Sequence, residues 1–146
     1  MTNHSTIATL IELATKESDA AAKRMGVALR AGEETEQKLA LLLQYRDDYA
    51  ARCQASLATG LTAMGYQNFR VFLEKLESAI AGQRDIVNAA QRRISDARSV
   101  WQACERKRMS YGTLASRAFQ EAQRHEMRRD QKLTDEHAAR QTLYKR

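Results

Sequence analysis

The chain is 146 residues long, has no proline, only six glycines, and just one Trp, five Tyr and three Phe. That excludes a compact globule of many short elements, which needs frequent Gly/Pro turns, and points to long helices or a coiled coil. The net charge of +6 is carried by one end: residues 1–105 hold 13 Lys/Arg against 13 Asp/Glu, whereas residues 106–146 hold 11 against 5.

No stretch of about 20 apolar residues is present to span a membrane, and the opening Met1-Thr2-Asn3-His4-Ser5 lacks a basic region followed by an apolar run. A cytoplasmic location is expected. Cys53 and Cys104 lie far apart in sequence and are expected to be reduced thiols that pack as small apolar residues.

The expected fold class is all-α: a long antiparallel two-helix coiled-coil hairpin. From about residue 5 to 57 apolar residues recur at helical intervals, as in Ile7, Leu10, Ile11 and Ala14, then Ala21, Met25 and Ala28, then Leu39, Leu42 and Leu43, so a first helix with a narrow stripe is expected. Its first half uses small residues, and Gly26 and Gly32 each cost about 1 kcal/mol relative to Ala, so this half should be the less stable. Gly60 and Gly65, with a local drop in charge, predict a turn over about 58–66 with a C-cap at Gly60.

The second helix, from about 67, carries the clearest pattern in the chain. With Leu73 at a heptad position a, that series reads Leu73, Ile80, Val87, Ile94, Trp101, Arg108, Ala115, Ala122. The d series reads Phe69, Leu76, Gln83, Ala90, Ala97, Cys104, Tyr111, Ala118. Such a seam predicts a left-handed coiled coil with a core of Phe69, Leu73, Leu76, Ile80, Val87, Ile94, Trp101 and Tyr111. A turn near 60–65 pairs residues whose numbers sum to about 125. The hairpin then occupies 1–122, and 123–146 is a charged basic extension, helical or partly disordered. A second helix of roughly 70 residues would be about 100 Å long.

Little in the chain suggests catalysis. His125-Glu126-Met127-Arg128-Arg129 opens like a zinc-protease helix, but Arg129 stands where the second histidine belongs. His4, His125 and His137 have no metal-ligand spacing around them. No glycine-rich phosphate loop exists, and a two-helix rod has no interior in which to exclude water. Hence no enzyme activity, no cofactor, no metal and no small-molecule substrate are expected.

Two surface features exceed what a seam requires. Phe72, Ala79, Ile86, Val100 and Leu114 form a row at position g, beside the seam. With Leu76 and Gln83, Phe72 and Ala79 make an i, i+4, i+7, i+11 stripe suited to a partner's groove; equally, the row could cover the flank of helix one. At the basic end acidic residues interrupt the basic ones and aromatics are absent between Phe119 and Tyr144. This favours a protein partner over nucleic acid.

Several stretches together resemble the flagellar export protein FliJ family: Ile7-Ala8-Thr9-Leu10, Leu43-Gln44-Tyr45-Arg46-Asp47-Asp48-Tyr49, Tyr66-Gln67-Asn68-Phe69 leading into Leu76-Glu77-Ser78-Ala79-Ile80, the lone Trp101, and Arg128 through Glu136. The resemblance covers nearly the whole chain. It implies a hairpin similar to the stalk (gamma) subunit of rotary ATPases. It also implies a place in the ring of the flagellar export ATPase FliI, and links to the ATPase regulator FliH, the export gate protein FlhA and export chaperones, at the cytoplasmic face of the inner membrane. Carried over by position, the gate-contacting stripe is Phe72, Leu76, Ala79 and Gln83, with Gln83 in place of the family's histidine. The implied ATPase surface is the open end, with Ile7, Leu10, Arg128, Arg129, Asp130, Lys132, Leu133 and Glu136. Three other readings are an equivalent stalk of a virulence type III secretion system, a general coiled-coil scaffold or nucleic-acid-binding protein, and a chaperone-docking tip at Met64, Tyr66 and Phe72.

Overall fold

The computed structural model describes residues 2–145 and is an all-α helical hairpin. Helix α1 runs Thr2–Thr59 and α2 runs Ala63–Tyr144. Both are longer than expected from sequence: α2 begins before residue 67 and has 82 residues, continuing through the charged C-terminal segment without a break. With no proline in the chain, nothing removes a backbone donor to stop it.

The turn is short because its residues suit it. Gly60 adopts φ 97°, a left-handed conformation open to glycine without steric cost. Thr62 then caps α2: its Oγ1 accepts from the Gly65 amide at 3.1 Å, while its carbonyl accepts from the Tyr66 amide at 3.0 Å.

Contacts divide the chain into two compact units, Ala20–Trp101 and the remainder, which joins the segment up to Asp19 with that from Gln102. In the Ala20–Trp101 unit the helices run antiparallel, since partners fall on α2 as they rise on α1: Gly32 with Ile94, Glu36 with Gln91, Arg46 with Glu77. Buried or half-buried residues of α1 recur at alternating steps of four and three, through Ala21, Met25, Ala28, Gly32, Thr35, Leu39, Leu42, Arg46, Tyr49, Cys53 and Ser56. Opposite them Ile80, Ala90 and Ile94 are buried, and Phe69, Leu73, Leu76, Val87 and Trp101 half-buried. Ile80, 1% exposed, contributes about 2–3 kcal/mol by burial. Gly32 serves packing as well: a Cβ built there would lie 2.7 Å from Ile94 Cδ1, so its missing side chain lets Ile94 close onto the backbone of α1.

In the other unit, Ile7, Ile11, Ala14 and Ser18 of α1 form a paired face with Cys104, Glu105, Tyr111, Ala115 and Ala118 of α2. From Phe119 to Lys145 every residue is exposed. Cys53 and Cys104 are both free and half-buried.

The two kinds of glycine give opposite mutational signs. Gly60→Ala should destabilise the protein by about 1 kcal/mol through its positive φ. Gly26→Ala should stabilise it by a similar amount, because a Cβ there meets nothing within 4 Å and helix propensity improves. Thermal melts of the two variants check this.

Candidate docking surface

Near the turn, the Ala20–Trp101 unit opens a groove of about 440 Å³ lined by Tyr45, Asp48, Tyr49 and Arg52 from α1 and by Phe72 and Leu76 from α2. Tyr49 organises it. Its ring lies 4.5 Å from Phe72 and 5.0 Å from Phe69, both tilted, a geometry that favours aromatic pairs beyond area burial. Phe72 thereby packs against Tyr49 yet stays 46% exposed, and Tyr45 is 55% exposed. Phe72 therefore packs on the flank of α1 through Tyr49 and leaves part of its surface exposed. The rest of the row, Ala79, Ile86, Val100 and Leu114, is exposed.

The four residues of the expected gate stripe separate into different environments. Phe72 and Leu76 line the groove, Leu76 half-buried. Ala79 is exposed outside its lining. Gln83 is half-buried and points across the seam, its Nε2 donating to the Thr35 carbonyl at 3.0 Å. Tyr45 and Tyr49 were not anticipated as part of this surface. The rule that partners sum to about 125 places Tyr45 beside Ile80, and Tyr49 beside Leu76, so pairing arithmetic was the signal that could have found them.

The residues implied for the ATPase contact are of two kinds. Ile7 is half-buried and Leu10 marginally exposed on the paired part of α1. Arg128, Arg129, Asp130, Lys132, Leu133 and Glu136 are exposed on the C-terminal run of α2. Side-chain bonds on that run are local, such as Gln131 to Asp135 at 3.2 Å and Thr134 to the Asp130 carbonyl at 2.9 Å. That arrangement leaves a long polar helical face available.

The electrostatic outlier lies in the same unit as this run. Glu105 accepts from Arg108 Nη2 at 2.8 Å and from Ser18 Oγ at 2.5 Å. The Arg108 guanidinium first, and the Ser18 hydroxyl second, hold its carboxyl below the ordinary 4.5. A carboxyl whose folded pKa is depressed contributes stability above its unfolded pKa, and loses it as pH falls through the folded value. Melting temperature should therefore fall more steeply below pH 4.5 in the native chain than in Glu105→Gln. Melts across acid pH check this.

Among the described residues no group of His, Cys, Asp and Glu could hold a metal ion, and no helix is long and apolar enough to cross a membrane. The profile of the family described as flagellar FliJ protein matches residues 3–146. The chain is 30% identical over 145 residues to the flagellar FliJ protein of Escherichia coli K12, and 29% identical over 145 residues to that of Salmonella typhi. Each alignment covers 99% of both chains.

Proposed function

Since the chain belongs to the flagellar FliJ protein family, we propose that it is a non-enzymatic coupling factor of flagellar protein export, acting through exposed side chains rather than an enclosed site. The observation that carries this reading is the half-exposed aromatic groove of Tyr45, Tyr49, Phe72 and Leu76. The Tyr49 and Phe72 rings pack on each other before any partner arrives, so little side-chain entropy is lost at those two on docking. Aromatic anchors of this kind dominate interface energetics. The export gate protein FlhA is the partner assigned to it.

The exposed C-terminal run of α2, with Arg128, Arg129, Asp130, Lys132, Leu133 and Glu136, together with Ile7 and Leu10, is assigned to the ring of the export ATPase FliI. There the protein acts as a stalk that promotes ring assembly and hydrolysis. The excess of basic residues in 106–146 favours an acidic ring surface. Contacts with FliH and with export chaperones belong to the same role, and membrane association comes only through these partners.

One experiment separates the two surfaces. Tyr45→Ala, Phe72→Ala and Leu76→Ala should each weaken binding to the purified cytoplasmic part of the gate protein by at least about 10-fold while leaving stimulation of the purified ATPase intact. Unchanged gate binding in all three variants would sink the groove assignment. Absence of any stimulation by the native chain would sink the stalk role.

A further inference from the structure

The two sides of the Ala20–Trp101 unit are finished differently. On one side polar groups bridge the helices: Gln91 Nε2 donates to a Glu36 carboxylate oxygen at 2.9 Å, and Arg46 pairs with Glu77 at 3.9 Å. The other side begins at the groove near the turn, where Tyr45 and Asp48 of α1 face Phe72 of α2. Both seams keep alternating steps of four and three through the unit, so residues one heptad apart stay on one side. From Asp48 that side continues along α1 to Leu41 and Val27, and from Phe72 along α2 to Ile86 and Val100. The level set by Gly32 against Ile94 puts Leu41 beside Ile86 and Val27 beside Val100. All four are exposed, at 51%, 58%, 51% and 48% for Leu41, Val27, Ile86 and Val100.

The charges on this side are of one sign and unmatched. One heptad and three heptads before Tyr45 stand Lys38 and Arg24, and one heptad after Ile86 stands Arg93. Among the described residues none of the three makes an ion pair, although Glu34 and Asp96 lie at helical spacing from Lys38 and Arg93. In a self-sufficient coiled coil the rows beside the seam are charged and pair across it. Here they leave apolar residues uncovered and cations without carboxylates.

We propose that this face seats a third helix, an amphipathic helix of a partner protein that carries Asp or Glu beside its apolar stripe. Such a helix would lay its stripe between the Leu41–Val27 and Ile86–Val100 rows, which run for about 20 Å, and bring carboxylates to Arg24, Lys38 and Arg93. A second copy of this chain fits badly, since its own face would set the same cations against these. The proposal does not rest on assigning the groove near the turn to the gate protein, because none of these seven residues lines that groove.

The test uses the full chain and two synthetic amphipathic peptides of about three heptads, alike in a leucine stripe but flanked by Glu in one and by Lys in the other. In fluorescence anisotropy the Glu peptide should bind, and the Lys peptide at least about 10-fold more weakly. I86S/V100S, which alters only exposed positions, should weaken the Glu peptide by at least about 10-fold while leaving gate-protein binding unchanged. K38E/R93E keeps the apolar rows and should reverse the preference toward the Lys peptide, and it serves if I86S/V100S fails to fold. Equal binding of the two peptides, undiminished binding in folded I86S/V100S, or an unchanged preference in K38E/R93E would overturn the proposal. So would a native dimer in sedimentation that I86S/V100S converts to monomer, which would make a second copy the occupant.

Discussion

Ile94 reaches into the space that a side chain on Gly32 would fill, and that fit of a large residue on α2 against a minimal one on α1 sets the character of the Ala20–Trp101 unit. Where α1 offers Ala21, Ala28 and Gly32, α2 answers with Ile94 and Trp101. The helices approach closely without burying much apolar area, and among the described residues the buried apolar ones are few: Ala14, Ala21, Ile80, Ala90 and Ile94. A core this thin leaves most large side chains half-covered. The groove of Tyr45, Tyr49, Phe72 and Leu76 follows from the same economy, since two helices can cover only one side of each ring.

Polar groups inside the seams are satisfied in ways that constrain geometry. Gln83 donates across the seam to Thr35, whose hydroxyl in turn donates to the Gly32 carbonyl at 2.7 Å. No buried side-chain nitrogen or oxygen among the described residues lacks a partner. The exposed ion pairs, such as Lys107 with Glu17 at 3.5 Å, contribute at most about 1 kcal/mol each and act as orientation more than as stability. Stability resides in the few buried contacts.

The second helix was legible in the sequence because its seam carries Leu73, Ile80, Val87, Ile94 and Trp101, large residues that repeat every seventh position. The first helix was legible only as a stripe. Its seam passes through Gly32, Thr35, Arg46 and Ser56, which apolar periodicity does not register, although each lies on the paired face. Gly32 scored as a helix defect for the same reason, since propensity takes no account of what a neighbouring helix inserts. The outward stripe was half legible. Phe72 and Leu76 line a groove with α1, but Gln83 turns inward because a backbone carbonyl lies within its reach, and the two tyrosines needed the pairing of helices to be known. The cluster at Ser18 could not be read from sequence, where a serine on a small-residue stripe looks like one more small residue.

The claim on which the rest depends is that the paired face ends near Ala118 and that the Ala20–Trp101 unit is held by a few buried contacts, Ile94 against Gly32 and Ile80 among them. Amide hydrogen exchange on the full chain tests it most directly. Slow exchange around Ala21, Gly32, Ile80 and Ile94, with fast exchange from about Gln123 to Tyr144, is what this account predicts, because an isolated helical run without tertiary contacts opens readily. Protection of the C-terminal run equal to that of the Ile80 and Ile94 region, or fast exchange at Gly32 and Ile94, would contradict it.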